Sequence, residues 1–212
     1  SSGNIYLAGH TTGALDGNSL SGIQDFYIAK YDTSGTKLWI KQFGATGATV
    51  VGRSVTTDSD GSVYIAGATN IGLNGNTQAG TQDFYVAKYD GNGVRQYIKQ
   101  LGIASAFTNA QGVVADLFGA IYVVGYTSGN LDGVTLTGTQ DAFITKYDSA
   151  GVKQFTKLLG ASGATSAGRG VSKDRSGNLF LAGYTTGGID GNTLLGNQDF
   201  LLAKYNNSGS KQ

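Results

Sequence analysis

All fourteen acidic residues of this chain are aspartates, and four of them, Asp25, Asp83, Asp141 and Asp199, each follow a Gln at the start of an apolar segment. Two carboxylates can act as general acid and base, but such a pair belongs to one site and not to every copy of a pattern. Placement in every copy points to a fold-holding role, with the carboxylate accepting backbone N–H groups or pairing with a recurring lysine such as Lys30. A second acidic pattern is Asp16-Gly17-Asn18, echoed by Asp132-Gly133-Val134 and Asp190-Gly191-Asn192. Calcium takes six to eight oxygen ligands from carboxylates, amides and carbonyls, which makes Asp16, Asn18, Asp132, Asp190 and Asn192 candidate metal ligands. The pattern falls short of an EF-hand loop, and Asn74 replaces the aspartate in the second copy. Turn chemistry accounts for the same residues. Asp58-Ser59-Asp60-Gly61 is a further oxygen-rich match, present in one copy only.

Arg53 and Arg169 occupy equivalent places, with Gln111 between them in the middle copy. They are expected to begin the innermost strand of their units and to face a central channel, where variation suits ligand specificity. Trp39, matched by Tyr97 and Phe155, is a candidate platform for a sugar ring. A recurring aromatic in a strand also serves as packing between sheets. His10 is the single histidine, its counterparts are Ala68, Tyr126 and Tyr184, and the chain has no cysteine. A zinc site or a Ser-His triad needs partners that this sequence does not supply.

The elements that position these residues repeat. Gly9, Gly67, Gly125 and Gly183 close the segments Ile-Tyr-Leu-Ala-Gly, Val-Tyr-Ile-Ala-Gly, Ile-Tyr-Val-Val-Gly and Leu-Phe-Leu-Ala-Gly, each 58 residues from the last. The same shift carries Lys30 to Lys88, Lys146 and Lys204 without insertion or deletion. One unit reads as four strands: Ser54–Asp58, Ser62–Gly67, Asp83–Asp90 and Val94–Leu101, with a long loop, Ala68–Gln82, between the second and third. Asp-x-x-Gly makes the tight connections, at Asp32–Gly35, Asp148–Gly151 and Asp174–Gly177. Its Asp bonds the turn backbone and its Gly takes the positive φ that closes a hairpin. Along Phe26–Tyr31 both alternating faces are apolar or aromatic. That is expected of a sheet packed between two others, since a one-sided sheet shows a polar face. A parallel β-helix repeats at shorter intervals, so an antiparallel meander of this length favours an all-β fold, a β-propeller of four-stranded blades. About 3.6 repeats are present, in one segment spanning residues 1–212, with units at approximately 1–60, 61–118, 119–176 and 177–212.

Composition agrees. The chain has 35 Gly, no Pro, Cys or Met, and 40% hydrophobic residues, a turn-rich β composition. Net charge is +1 and the cations are scattered, so no nucleic-acid stripe is expected. Apolar runs fall far short of the roughly 20 residues that a membrane-spanning helix needs. Freedom from cysteine is compatible with an oxidising exterior.

Gly3-Asn4-Ile5-Tyr6-Leu7-Ala8-Gly9, Gln24 to Asp32 (Gln-Asp-Phe-Tyr-Ile-Ala-Lys-Tyr-Asp) and Lys37 to Gly44 (Lys-Leu-Trp-Ile-Lys-Gln-Phe-Gly) together resemble the bacterial SBBP, or "seven-bladed β-propeller", repeat family. The resemblance covers nearly the whole chain. It implies a propeller within a large exported bacterial protein, and no activity common to the family. The chain starts inside a second strand and stops inside a fourth, so a longer propeller or closure by oligomerisation is expected. The functional expectation is a non-enzymatic, extracellular or cell-surface scaffold that binds protein or glycan in adhesion, without nucleic acid or a membrane span. A self-assembling surface or filament repeat, with further copies of itself as partners, is the first alternative. A hydrolase or lyase with an unrecognised site is the second. No cofactor is expected beyond possible Ca2+ at the Asp-Gly-Asn loops.

Overall fold

The computed structural model describes residues 3–212, which form fourteen strands in four antiparallel sheets. The first sheet holds β1 (Ile5–Thr11), β2 (Asp25–Tyr31) and β3 (Lys37–Phe43). The second holds β4 (Val50–Thr57), β5 (Val63–Thr69), β6 (Asp83–Tyr89) and β7 (Arg95–Leu101). The third holds β8 (Thr108–Ala115), β9 (Ile121–Thr127), β10 (Asp141–Tyr147) and β11 (Lys153–Leu159). The fourth holds β12 (Ser166–Lys173), β13 (Leu179–Thr185) and β14 (Asp199–Tyr205), and a bridge from Tyr205 to Lys211 begins one more pairing. Each sheet is a simple meander whose neighbours in sequence are neighbours in space. The sheets therefore divide near residues 44–49, 102–107 and 160–165. The repeat-unit limits at 60/61, 118/119 and 176/177 fall within hairpins.

Local chemistry explains the hairpins. In the first turn the Asp32 carboxylate accepts the backbone N–H groups of Ser34 and Thr36, both at 2.9 Å, and Gly35 takes a φ of +82°. The Ser34 hydroxyl bonds the same carboxylate, and these bonds hold the Asp32 carboxyl below its ordinary range. Asp58, Asp90, Asp116, Asp148 and Asp174 head equivalent turns.

Stacking of the sheets makes the core. Three buried clusters lie between successive sheets, joining Phe26 and Ile28 to Ile65 and Tyr85, Phe84 and Val86 to Val123 and Phe143, and Val124 and Ile144 to Leu181 and Leu201. Phe26 stacks on Tyr85 at 5.2 Å and Phe84 on Phe143 at 5.0 Å. The recurring lysines tie each sheet to the next. Lys30 donates to the Gly91 carbonyl at 2.9 Å, Lys88 to Ser149 at 3.2 Å and Lys146 to Asn207 at 3.2 Å. Each also lies over a tyrosine of its own sheet, Tyr6, Tyr64 or Tyr122. Of the two roles open to the Gln-Asp carboxylates, then, pairing with these lysines is not the one adopted.

The repeated glycine of the second strand has a steric cause. A Cβ on Gly67, Gly125 or Gly183 would sit 1.8 Å from the carbonyl oxygen of Val51, Asn109 or Ala167 on the neighbouring inner strand. No side chain fits there.

One boundary differs from the expectation by a consequential amount. The inner strand β4 begins at Val50 and not at Ser54, because its register shifts between Gly52 and Ser54. A bulge of this kind breaks the alternation that defines a strand in sequence.

Candidate functional site

The bulge recurs. Register shifts fall between Gly52 and Ser54, Ala110 and Gly112, and Gly168 and Gly170, leaving Arg53, Gln111 and Arg169 as the unpaired extra residues. Bulges re-aim side chains out of the pleat. Arg53 and Arg169 thus lie inside their strands, near one end, and do not begin them. The small residues that flank each position were the available sequence signal. The three inner strands β4, β8 and β12 lie side by side. The Val113 backbone N–H donates to Ser54 Oγ at 3.2 Å, and a Cβ on Gly112 would come within 3.4 Å of Gly170 Cα. Residues 53, 111 and 169 therefore form one arc at the same level.

Within that arc the two arginines differ. Arg169 is held: its guanidinium lies 5.4 Å from the Tyr126 ring and 5.3 Å from the Tyr184 ring, and it donates to Gln111 Oε1 at 3.3 Å. The 58-residue shift puts His10 and Ala68 where Tyr126 and Tyr184 stand, so Arg53 lacks the aromatic sandwich. The β4 backbone at Gly52 passes so close to Gly9 that a Cβ there would lie 2.5 Å from the Gly9 oxygen, which places Arg53 beside exposed His10. Arg53 is exposed and has no hydrogen bond or ion pair among the described residues. The Nε2 of Gln111 is buried without an acceptor.

Charge is segregated along the strands. The Asp-headed turns lie at the end of each sheet opposite the arc. At the arc's end, Asp25, Asp83 and Asp141 are fully buried and consumed by the backbone. Asp83 accepts the Ala79 and Gly80 N–H groups at 2.8 Å each and Gln100 Nε2 at 2.9 Å. Asp25 has the same set, from Ser21, Gly22 and Gln42. Asp141 receives Thr137 and Gly138 only, because Leu158 replaces the glutamine. Two facing cations are thus left without a carboxylate.

The other candidates lie elsewhere. Trp39 is half-buried between the first two sheets, donates from Nε1 to the Gly91 carbonyl at 3.3 Å and packs on Gly93. Its counterpart Tyr97 keeps a buried hydroxyl without a partner. Asp16, Asp132 and Asp190 sit in the long loops, each in the left-handed backbone region and each ion-paired to a lysine, Lys37, Lys153 or Lys211. Asn74 accepts Arg95 Nη2 at 3.0 Å in the same manner. Asn18 and Asn192 turn their amide nitrogens onto the Leu15 and Ile189 carbonyls, both at 2.8 Å. No group of three or more His, Cys, Asp or Glu gathers among the described residues, so the loops as held present no converged set of oxygens.

A cleft of about 650 Å³ opens beside β14, lined by Ile189, Leu194, Asp199, Phe200 and Leu202. The side chains of Gln42 and Gln100 occupy the corresponding space in the first two sheets, where their carbonyls accept the Leu15 and Leu73 N–H groups at 3.0 Å.

With fold and site described, relatedness can be stated. Residues 38–74, 96–132 and 154–190, just over half of the chain, match the family described as beta-propeller repeat, SBBP. The chain belongs to the SBBP β-propeller repeat family. Each matched stretch runs from a fourth strand into the next sheet's long loop, so the SBBP unit includes the inner-strand bulge. The chain is also 27% identical over 182 residues to the regulatory protein FlaEY of Caulobacter vibrioides, spanning 76% of this chain and about a fifth, 19%, of that protein. Among solved structures, a protein of unknown function from Bacteroides caccae aligns with TM-score 0.49 and 10% identity over 88% of this chain and 52% of that one. Rhamnogalacturonan lyase YesW aligns with TM-score 0.35 and 11% identity over 99% of this chain and 55% of that one.

Proposed function

We propose that this chain is a non-enzymatic binding scaffold of an exported bacterial protein, presenting its ligand site at the end of the sheets that carries the long loops and the Arg53–Gln111–Arg169 arc. The observation that supports this most directly is a constant frame with a variable insert. Gly67, Asp83 and Lys88 keep their partners from sheet to sheet, whereas the bulge residue alternates between Arg and Gln and its neighbours between His, Ala and Tyr. Binding on rigid repeat scaffolds resides in such variable positions. The absence of an enzymatic role is read from the residues: His10 is isolated and the interior aspartates are spent on backbone N–H groups. Adhesion to protein or glycan is the activity assigned here. The chain matches about a fifth of FlaEY, so any regulatory part belongs to a whole protein and not to this segment. Exposing the chain to a glycan array and to a panel of purified surface proteins tests the reading, and silence from both at high concentration overturns it.

A second reading, self-association into a surface or filament assembly, is favoured by β14. Its outward Phe200 is 84% exposed beside the open cleft. Free strand edges pair with other chains. A mass that grows with concentration in sedimentation supports this reading, and a constant monomer rejects it.

A further inference from the structure

We infer that the arc binds a carboxylate, and that the ligand carrying it is a uronic-acid glycan; this rests on the proposed reading of the chain as a binding scaffold. Three observations carry the assignment. First, Arg53 is an exposed guanidinium with no acidic partner, next to exposed His10, at an end of the sheets where the interior aspartates are buried and consumed. A guanidinium fork matches the two coplanar oxygens of a carboxylate, and such a charge-assisted pair is stronger than a neutral hydrogen bond. Second, Gln111 has a donor, Nε2, that finds no acceptor in the free chain, while its Oε1 is engaged by Arg169. A buried donor left unmade is costly, so rotation of this amide toward an arriving acceptor is favoured. One carboxylate placed between Arg53 and Gln111 satisfies both.

Third, Arg169 is fixed between Tyr126 and Tyr184 and bound to Gln111, so it holds the arc's geometry and adds positive potential without needing to touch the ligand. Tyrosine rings and amide donors beside a guanidinium suit a sugar, whose ring has apolar faces and a rim of hydroxyls. An acidic peptide would meet the same cation but would have little use for the rings. The side chains around the arc are otherwise small or polar, Ala68, Asn109 and Ser54 among them, which favours a hydrated saccharide over an apolar ligand.

The test is calorimetric titration of the intact chain with tri-galacturonate, its fully methyl-esterified counterpart and a Glu-rich peptide of equal charge. Tri-galacturonate is expected to bind, and the neutral ester at least about tenfold more weakly, as loss of a charge-assisted pair implies. Arg53→Ala and Gln111→Leu are each expected to weaken uronate binding by about tenfold or more with circular dichroism unchanged. Lys153→Ala, at the outer loop, is expected to leave it unaltered. Equal affinity for ester and acid, indifference to Arg53→Ala, stronger binding of the peptide, or no binding of the uronate would each overturn the inference. Capture of a neutral glycan or a protein, unaffected by Arg53→Ala, would overturn it while leaving the scaffold reading standing.

Discussion

Replacing Asp83 with alanine removes a carboxylate that is fully buried and accepts three hydrogen bonds, from the Ala79 and Gly80 backbone and from Gln100. Hydrogen bonds to a charged group contribute about 1.5–3 kcal/mol each, and a buried donor left unmade costs about 1–3 kcal/mol. Water that enters the vacated space recovers part of this loss, so the expected destabilisation is about 3–5 kcal/mol, at the upper end for a single substitution. Asp199 supplies the internal control. It is the same residue in the fourth sheet and accepts the Leu195 and Gly196 N–H groups at 2.9 and 3.2 Å, but it is only half-buried and has no glutamine partner. Asp199→Ala is expected to cost about 1 kcal/mol, since solvent replaces its bonds. Asp141→Ala, with two bonds in a buried setting, falls between them. Urea unfolding followed by circular dichroism and by the fluorescence of Trp39, the only tryptophan, gives the three values. Equal costs at positions 83 and 199, or a cost at Asp83 below about 1 kcal/mol, would refute the claim that burial and backbone capture are what these aspartates provide.

Three further outcomes follow from the same geometry. Gly125→Ala drives a Cβ to 1.8 Å from the Asn109 carbonyl oxygen, so it is expected to cost more than about 3 kcal/mol or to abolish folding, whereas Gly133→Ala, with open space and strain only from a φ of +74°, is expected to cost about 1 kcal/mol; thermal melts compare the two. Burial raises Tyr89, Tyr122 and Tyr205 from 10.0 to about 12. Because the folded value exceeds the unfolded one, this contribution is full below pH 10 and is lost as pH climbs toward 12; tyrosinate absorbance is expected to rise together with unfolding, and titration at pH 10 in a still-folded chain would contradict it. Asp132 is ion-paired with Lys153 at a partly exposed position, so Asp132→Ala is expected to cost under about 1 kcal/mol, and calcium or a chelator is expected to leave the melting midpoint unchanged; a calcium-dependent rise would show that the loop opens to take the ion.

The repeat, its strands and its tight turns were legible from residue order because each rests on neighbours in sequence. Alternating apolar positions define β2 and β6, and Asp32, Gly35 and their counterparts close turns with bonds that span no more than four residues. The glycines of the second strands were legible as invariants but not as causes, since the Val51, Asn109 and Ala167 oxygens that forbid a Cβ come from another strand. Sequence left open whether Asp83 meets a lysine or the backbone. The fold decides it, because the loop before β6 turns its N–H groups inward while Lys88 reaches across to Ser149 in the next sheet. The inner-strand bulges were missed for a related reason: a bulge interrupts periodicity, so Arg53 read as a strand start. The binding arc was the least visible of all. Arg169 meets Tyr126 and Gln111 only because neighbouring sheets stack with their inner strands side by side, joining residues 43 and 58 positions apart whose proximity is set by packing and by nothing in the chain between them.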